Sequence, residues 1–430
     1  MYFKDITIID KDLEVREHMH VMTDGEKISY VGDEAPADTE GQEVYDGKGR
    51  LLMAGFVNSH AHSPMTLMRG YGEGLALQEW LNDRIFPFEA KLSSDAVYYG
   101  TLLAMAESIR YGIVSTNDMY YFCDDMAKAV IDAGCKNNIS RSITNFADDD
   151  LWTMASAKEM KSFYDNFNGA AGGKIKVDMS LHAEYTTTEK TVRELAEYTK
   201  EIGANMHVHV SETKKEHEEC KERHGGKTPV KYLSDLGLFD TRTTAAHCVW
   251  VEPEDMDILK EKNVSVASNP ISNLKLASGV CNVPELLRRG INVTIGTDSV
   301  SSNNSLNFIE EMKAFAIASK MMYSDPTAVS PKQTAAAATV NGAKAQGRND
   351  CGVLDKGYRA DLAVIDVSGP NMHPVHDMLN NLVYSASGSD VCMTMCDGKV
   401  LYRDGEFTTI DIEKTIFETE QETKKILSSL

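Results

Sequence analysis

Short apolar runs that turn polar at their C-terminal ends recur along this chain, separated by longer stretches of helical periodicity. Residues 1–50 differ: segments 5–10 and 27–32 alternate in the manner of short strands, and 45–50 is rich in turn residues, so a small β module is expected first. From residue 51 onward the apolar runs are 51–59, 113–119, 138–145, 174–182, 204–211, 243–248, 264–269 and 292–297, eight in all. Between them, stretches such as 95–111, 188–202, 252–262 and 305–322 carry the spacing of amphipathic helices. Eight strands alternating with helices, each ending in polar residues, predict a (β/α)8 TIM-type barrel with its chemistry at the C-terminal face. After a helical stretch at 330–346, strand-like segments return at 360–366, 391–396 and 399–402, and 412–429 reads as a closing helix. The expected organisation is an N-terminal β part (1–54), a catalytic barrel (55–354), and a C-terminal part (355–430) that completes a β-sandwich with the first.

Composition agrees with a large packed core: 42% of residues are hydrophobic and 25% charged, outside the range of disordered or fibrous chains. Lys and Arg number 44 against 65 Asp and Glu, so the formal charge of −21 repels phosphate backbones and anionic lipid, and a small-molecule partner is expected rather than nucleic acid or membrane. A homo-oligomer stays open. No basic segment leads into an apolar stretch at the N-terminus, and no run approaches the roughly 18 apolar residues of a membrane span. The eight cysteines contain no CxxC pair. Reduced thiols and a cytoplasmic location are the expectation.

The strongest local signal is Gly55-Phe-Val-Asn-Ser-His-Ala-His62. Two-residue spacing on a strand puts both imidazoles on one face, here the barrel interior. His18-Met-His20 has the same spacing but lies in the N-terminal β module without further ligand types, and is read as a solvated strand face. His60 and His62 are different, because His209 and Asp298 recur at the ends of other barrel strands. Three imidazoles and one carboxylate suit Zn²⁺, or Fe²⁺ or Mn²⁺, with a position left for water. Glu212, three residues after His209, stands where a carboxylate reaches both that water and a leaving group, the place of a proton shuttle; a first-turn helix glutamate is the alternative. His247, at another strand end, is read as orienting the water or polarising the substrate rather than as a core histidine.

These residues resemble the amidohydrolase superfamily, and within it the 5-methylthioadenosine/S-adenosylhomocysteine deaminase group. The matching stretches are residues 55–62 running into Pro64-Met-Thr-Leu-Met-Arg-Gly70, Leu77-Gln-Glu-Trp80-Leu, His207-Val-His-Val-Ser-Glu-Thr213, Ser268-Asn-Pro-Ile-Ser-Asn-Leu-Lys-Leu-Ala-Ser-Gly279, Gly296-Thr-Asp298-Ser and Val383-Tyr-Ser-Ala-Ser-Gly-Ser-Asp390. The resemblance implies a metal-dependent hydrolase of C–N bonds that deaminates adenine nucleosides, with His60, His62, His209 and Asp298 as ligands of one divalent metal, most often zinc. It makes Glu212 the shuttle, and gives His247 and Asp298 the tasks of orienting and deprotonating water. Strand 4 ends in His182, where binuclear relatives carry a bridging residue on strand 3 or 4, so one metal is implied. It also suggests Glu89 for ribose hydroxyls, Trp80 near the 5′ substituent, His182 for a purine nitrogen and Arg141 lining the pocket.

Two positions depart from the family pattern. A second arginine usual after the Arg141 match is replaced by Asp148-Asp-Asp-Leu-Trp-Thr153, which would repel an amino-acid tail and favour adenosine, 5′-deoxyadenosine or 5-methylthioadenosine over S-adenosylhomocysteine. Glu184 stands where a proline is usual. The alternatives are the same site acting on another heterocycle (a triazine, pterin or guanine), and a barrel that only binds a nucleoside or metal.

Overall fold

The computed structural model of the chain describes residues 1–75 and 77–430; in the quoted 77–81 stretch, the side chains of Leu77 and Gln78 also lie outside what is described. The barrel strands are Phe56–Ala61, Ile113–Tyr120, Lys136–Ile143, Ile175–Leu181, Met206–Val210, Thr243–His247, Ser265–Ser268 and Asn292–Ile295. Each pairs parallel to the next in chain order. The eighth returns beside the first, where Ala61 bridges Asp298 and the Asp298 N–H donates to the His60 carbonyl at 2.9 Å. The (β/α)8 expectation is borne out.

One expected strand is two. Residues 51–59 read as a single apolar run, but Arg50–Ala54 belongs to a different sheet and only Phe56–Ala61 enters the barrel. The break falls at Gly55, where a Cβ would stand 2.4 Å from Cγ1 of Val114, so only glycine lets the chain pass this close to the second barrel strand. Both strands are buried on both faces, so apolar residues run from one into the other and hide the boundary.

Arg50–Ala54 lies in a nine-stranded mixed sheet drawn from both chain ends, with the antiparallel strand Leu362–Asp366 on one side and the parallel Tyr2–Ile9 on the other. Alternation sorts its residues. Ile9, Leu51, Met53, Ala363 and Ile365 face the main core shared with the barrel, while Ile8, Leu52, Leu362, Val364 and Met393 face a second, smaller core. The expected helix at 330–346 is two, Pro331–Ala338 and Val340–Ala345, separated at Thr339 (φ −131°, ψ −93°). The closing helix is Ile412–Leu427. All eight cysteines are free, and no helix among the described residues is long and apolar enough to cross a membrane.

Candidate metal and active site

His60 and His62 enter the barrel from the first strand, as their spacing requires, and meet His209 from the fifth and Asp298 from just beyond the eighth. Nε2 of His60 and of His62 lie 3.5 and 3.4 Å from Oδ1 of Asp298, and Nε2 of His209 lies 3.3 Å from Nε2 of His62. Donor atoms of His60, His62 and His209 stand within 4.8 Å of one another, as do those of His60, His247 and Asp298.

The outer nitrogens explain why the inner ones converge. Nδ1 of His62 is 2.6 Å from the Met119 carbonyl and Nδ1 of His209 is 2.7 Å from the His182 carbonyl. A carbonyl only accepts, so each Nδ1 carries the proton and each Nε2 keeps its lone pair for the cluster. Burial drives the His60 imidazole down to about 3 and pushes His209 well below the usual histidine range, which leaves both rings neutral. For Asp298 burial opposes ionisation, but His60, His247 and His62 outweigh it and hold the carboxyl well below the ordinary range. His60 Nε2 is buried and makes no hydrogen bond. An orphaned lone pair among two further imidazoles and a carboxylate fits one divalent cation.

The backbone is shaped to bring these groups together. His247 (φ +73°) and Asp298 (φ +60°) both adopt left-handed conformations, which cost energy in non-glycine residues and concentrate at functional sites. At Gly296 a Cβ would lie 2.3 Å from Oδ1 of Asn269 and 2.8 Å from Cβ of His60, so glycine is what lets the eighth strand close against the first. Asp298 is held by three donors: Ser272 Oγ at 2.6 Å and Ser302 Oγ at 3.2 Å on Oδ2, and the Ser299 N–H at 2.8 Å on Oδ1.

Glu212 faces His247 across the same space, Oε2 to Nε2 at 3.9 Å, and accepts from Ser278 Oγ at 3.2 Å. Burial raises the Glu212 carboxyl, with His247 pulling the other way. Burial alone would lower His247, but the charges of Glu212 and Asp298 prevail and raise it. Nδ1 of His247 lies 2.9 Å from Asn273 Oδ1 and 3.1 Å from Asn269 Nδ2, and this pair of amides turns Nε2 toward Glu212.

Above these groups opens a cavity lined by Trp80, Glu89, Tyr121, His182 and Tyr185 as well as by Glu212 and Asp298. Burial pushes the Glu89 carboxyl up to about 7, against the pull of the Tyr120 and Tyr121 hydroxyls and the Arg141 guanidinium, and takes His182 down to about 4. Met65 and Met119 line the cavity, whereas Met68 packs in the core.

Arg141 corrects the expectation that it lines this cavity. Neighbouring residues of a strand face opposite sides, and here Ser142 points inward while Arg141 points into an adjoining cleft. Its guanidinium stacks over Tyr121 at 4.7 Å and pairs with Glu159 at 2.9 Å. None of Asp148, Asp149 and Asp150 lines either space: Asp148 accepts from Thr188 Oγ1, and Asp150 caps the turn Leu151–Thr153. Glu184 is buried and paired with Arg223 (2.6 Å) and His224 (2.7 Å).

Among the residues that support the site without a role assigned from the sequence are His207, Glu216, Ser272, Asn273, Ser278 and Ser302. Only His207 carried a signal, since the spacing His207-Val-His209 puts both rings on one face.

The site and barrel define a class. The amidohydrolase family model matches residues 51–401, and the chain belongs to that family, as its motifs suggested. A 5-methylthioadenosine/S-adenosylhomocysteine deaminase of Thermoanaerobacter pseudethanolicus is 38% identical over 430 residues, covering 99% of each chain. A 5′-deoxyadenosine deaminase of Methanosarcina mazei is 41% identical over 421 residues, 96% of this chain and 95% of that one. Among solved structures, an adenosine deaminase from Xanthomonas campestris with bound zinc superimposes with a TM-score of 0.92 at 29% identity, covering 99% of this chain and 98% of that one. The family, the zinc-bound neighbour and the histidine cluster together support a divalent metal.

Proposed function

We propose that this protein is a hydrolytic deaminase of adenine nucleosides, converting adenosine, 5′-deoxyadenosine, 5-methylthioadenosine or S-adenosylhomocysteine to the inosyl product and ammonia. The barrel of residues 55–354 carries the catalysis and the two end segments, 1–54 and 355–430, form the accessory part. His60, His62, His209 and Asp298 would hold one cation, zinc by preference for this donor set. When bound, it supplies a water nucleophile at neutral pH by lowering the pKa of that water.

The chain's own groups do the rest. Asp298 and His247 orient the water toward C6 of the purine, and Glu212 takes a proton from it and passes the proton to N1. As the water oxygen bonds to C6 the ring carbon becomes tetrahedral. The second proton of the water then reaches the amino group through Glu212, the C6–N bond breaks, and ammonia leaves. Both protons of the water are thus accounted for, one on N1 of the product and one on ammonia. Glu89 accepts from ribose hydroxyls, His182 meets a purine nitrogen and Trp80 packs against the 5′ side.

The observation that carries this reading is the meeting of the orphaned His60 Nε2 with His62, His209, Asp298 and Glu212, the last four of which line the cavity. The test is reconstitution: chelator-stripped protein should release no ammonia from adenosine, and one equivalent of Zn²⁺ should restore release. Undiminished release from stripped protein would contradict it.

A further inference from the structure

Glu216 is the third residue of the helix Lys214–Arg223, and Thr213 is its N-cap. In a usual capping box a glutamate at this position accepts from the N-cap N–H. Here that bond is long at 3.5 Å, and the carboxylate also reaches past the cap. Oε2 accepts from the Glu212 N–H at 2.7 Å and Oε1 from the Ser211 N–H at 2.8 Å. Thr213 completes the lock, its Oγ1 accepting from the Glu216 N–H at 3.1 Å.

The loop so gripped needs the support. Ser211 is left-handed at φ +48°, a conformation that persists only where surroundings enforce it. Its hydroxyl lies 3.2 Å from Nδ1 of His217, whose Nε2 lies 3.1 Å from Glu252 Oε1, so the next helix residue steadies the same corner from the other side. Glu216 itself is buried, and its two oxygens are engaged by consecutive amides. Two hydrogen bonds accepted by one buried carboxyl group fix both the position and the direction of that backbone.

We infer that Glu216 is the positioning residue for Glu212: its carboxylate fixes the backbone from which the Glu212 side chain reaches between Ser278 and His247. This rests on reading Glu212 as the proton shuttle. Loss of the grip lets the shuttle drift while His60, His62 and Asp298, which come from other strands, and His209, which is paired within the strand Met206–Val210, stay in place.

Glu216→Gln keeps the shape but sets an amide NH₂ against a backbone N–H. In that variant kcat for adenosine is expected to fall about 30-fold, with KM within about threefold and bound metal unchanged, as a displaced catalytic group predicts. In a Glu212→Gln background the same substitution should change kcat by less than about threefold, because the group it positions is already disabled. Amide hydrogen exchange at residues 211 and 212 should become about tenfold faster than in the unsubstituted protein, with the barrel strands unaffected. Equal kcat losses in both backgrounds, or unchanged exchange at these two amides, would overturn the inference. Should the unsubstituted, zinc-loaded protein fail to deaminate any adenine nucleoside, the functional reading falls, and the exchange measurement still decides whether Glu216 holds this backbone.

Discussion

Nδ1 of His60 lies 3.0 Å from Nε2 of His207, a residue fully buried beneath the cluster. His207 thereby sets the rotation of the His60 ring and points its Nε2 toward Asp298. Support of this kind around a ligand imidazole is typically worth 10–100-fold in metal affinity, so His207→Ala is expected to weaken Zn²⁺ binding by about that factor. Competition with a coloured chelator measures it. An affinity equal to that of the unsubstituted protein would show that His60 orients itself.

In the proposed function Glu212, a carboxylate lining the cavity, moves protons and Asp298 serves as a ligand. Glu212→Gln is expected to lower kcat by about 10²–10⁴-fold and to leave nucleoside affinity within about threefold. A barrel that only binds its ligand would show no turnover before the substitution and the same affinity after it. Single-turnover kinetics and a binding titration separate these outcomes.

Glu89 gives a pH dependence with a defined sign. Its carboxyl is raised from the usual 4.5 to about 7, chiefly by burial, so it is protonated below about 7 and ionised above. Only the ionised form accepts from both hydroxyls of a ribose. KM for adenosine is therefore expected to rise as the pH falls through about 7, and Glu89→Gln should remove this dependence and raise KM at pH 8 by about 10–100-fold, the usual range for a lost hydrogen bond to a charged group. The linked effect on stability follows from the same shift: the raised folded-state value destabilises the fold increasingly as the pH climbs from about 4.5 to 7, and Glu89→Gln should flatten that slope. Identical KM–pH profiles for the two proteins would contradict the assignment.

The barrel and the mixed sheet are joined by buried charge. Lys136, at the start of the third barrel strand, pairs with Asp361 at the edge of the strand Leu362–Asp366 and with Asp397 at 2.7 Å, and Lys174 meets Asp397 at 2.6 Å. Lys136→Met would leave Asp361 buried without its main cation. Removing one partner of such a pair costs about 3–5 kcal/mol, and a denaturant titration should show it. A loss below about 1 kcal/mol would mean that Asp361 finds water or another donor.

The sequence disclosed the parts whose signal is local. Spacing of two in His60-Ala-His62 fixes a common face on any strand, and the polar ends of apolar runs mark the catalytic rim. Contacts set by loop geometry or between distant segments left no such mark. Glu216 looks like an ordinary first-turn glutamate until Ser211 and Glu212 fold back over it, and Ser272 and Ser278 look like loop serines until Asp298 and Glu212 arrive from elsewhere in the chain. Arg141 was misjudged because a one-residue difference in facing sends a side chain to the far side of the strand. The Gly55 break was hidden because two strands buried on both faces read as one.

The most direct test of the account offers the zinc-loaded protein adenosine, 5′-deoxyadenosine, 5-methylthioadenosine, S-adenosylhomocysteine and guanine side by side, and measures ammonia together with the purine product. The account predicts rapid formation of the inosyl product from the adenine nucleosides, with guanine inert. Turnover of guanine alone, or no ammonia from any of the five with metal bound, would contradict it.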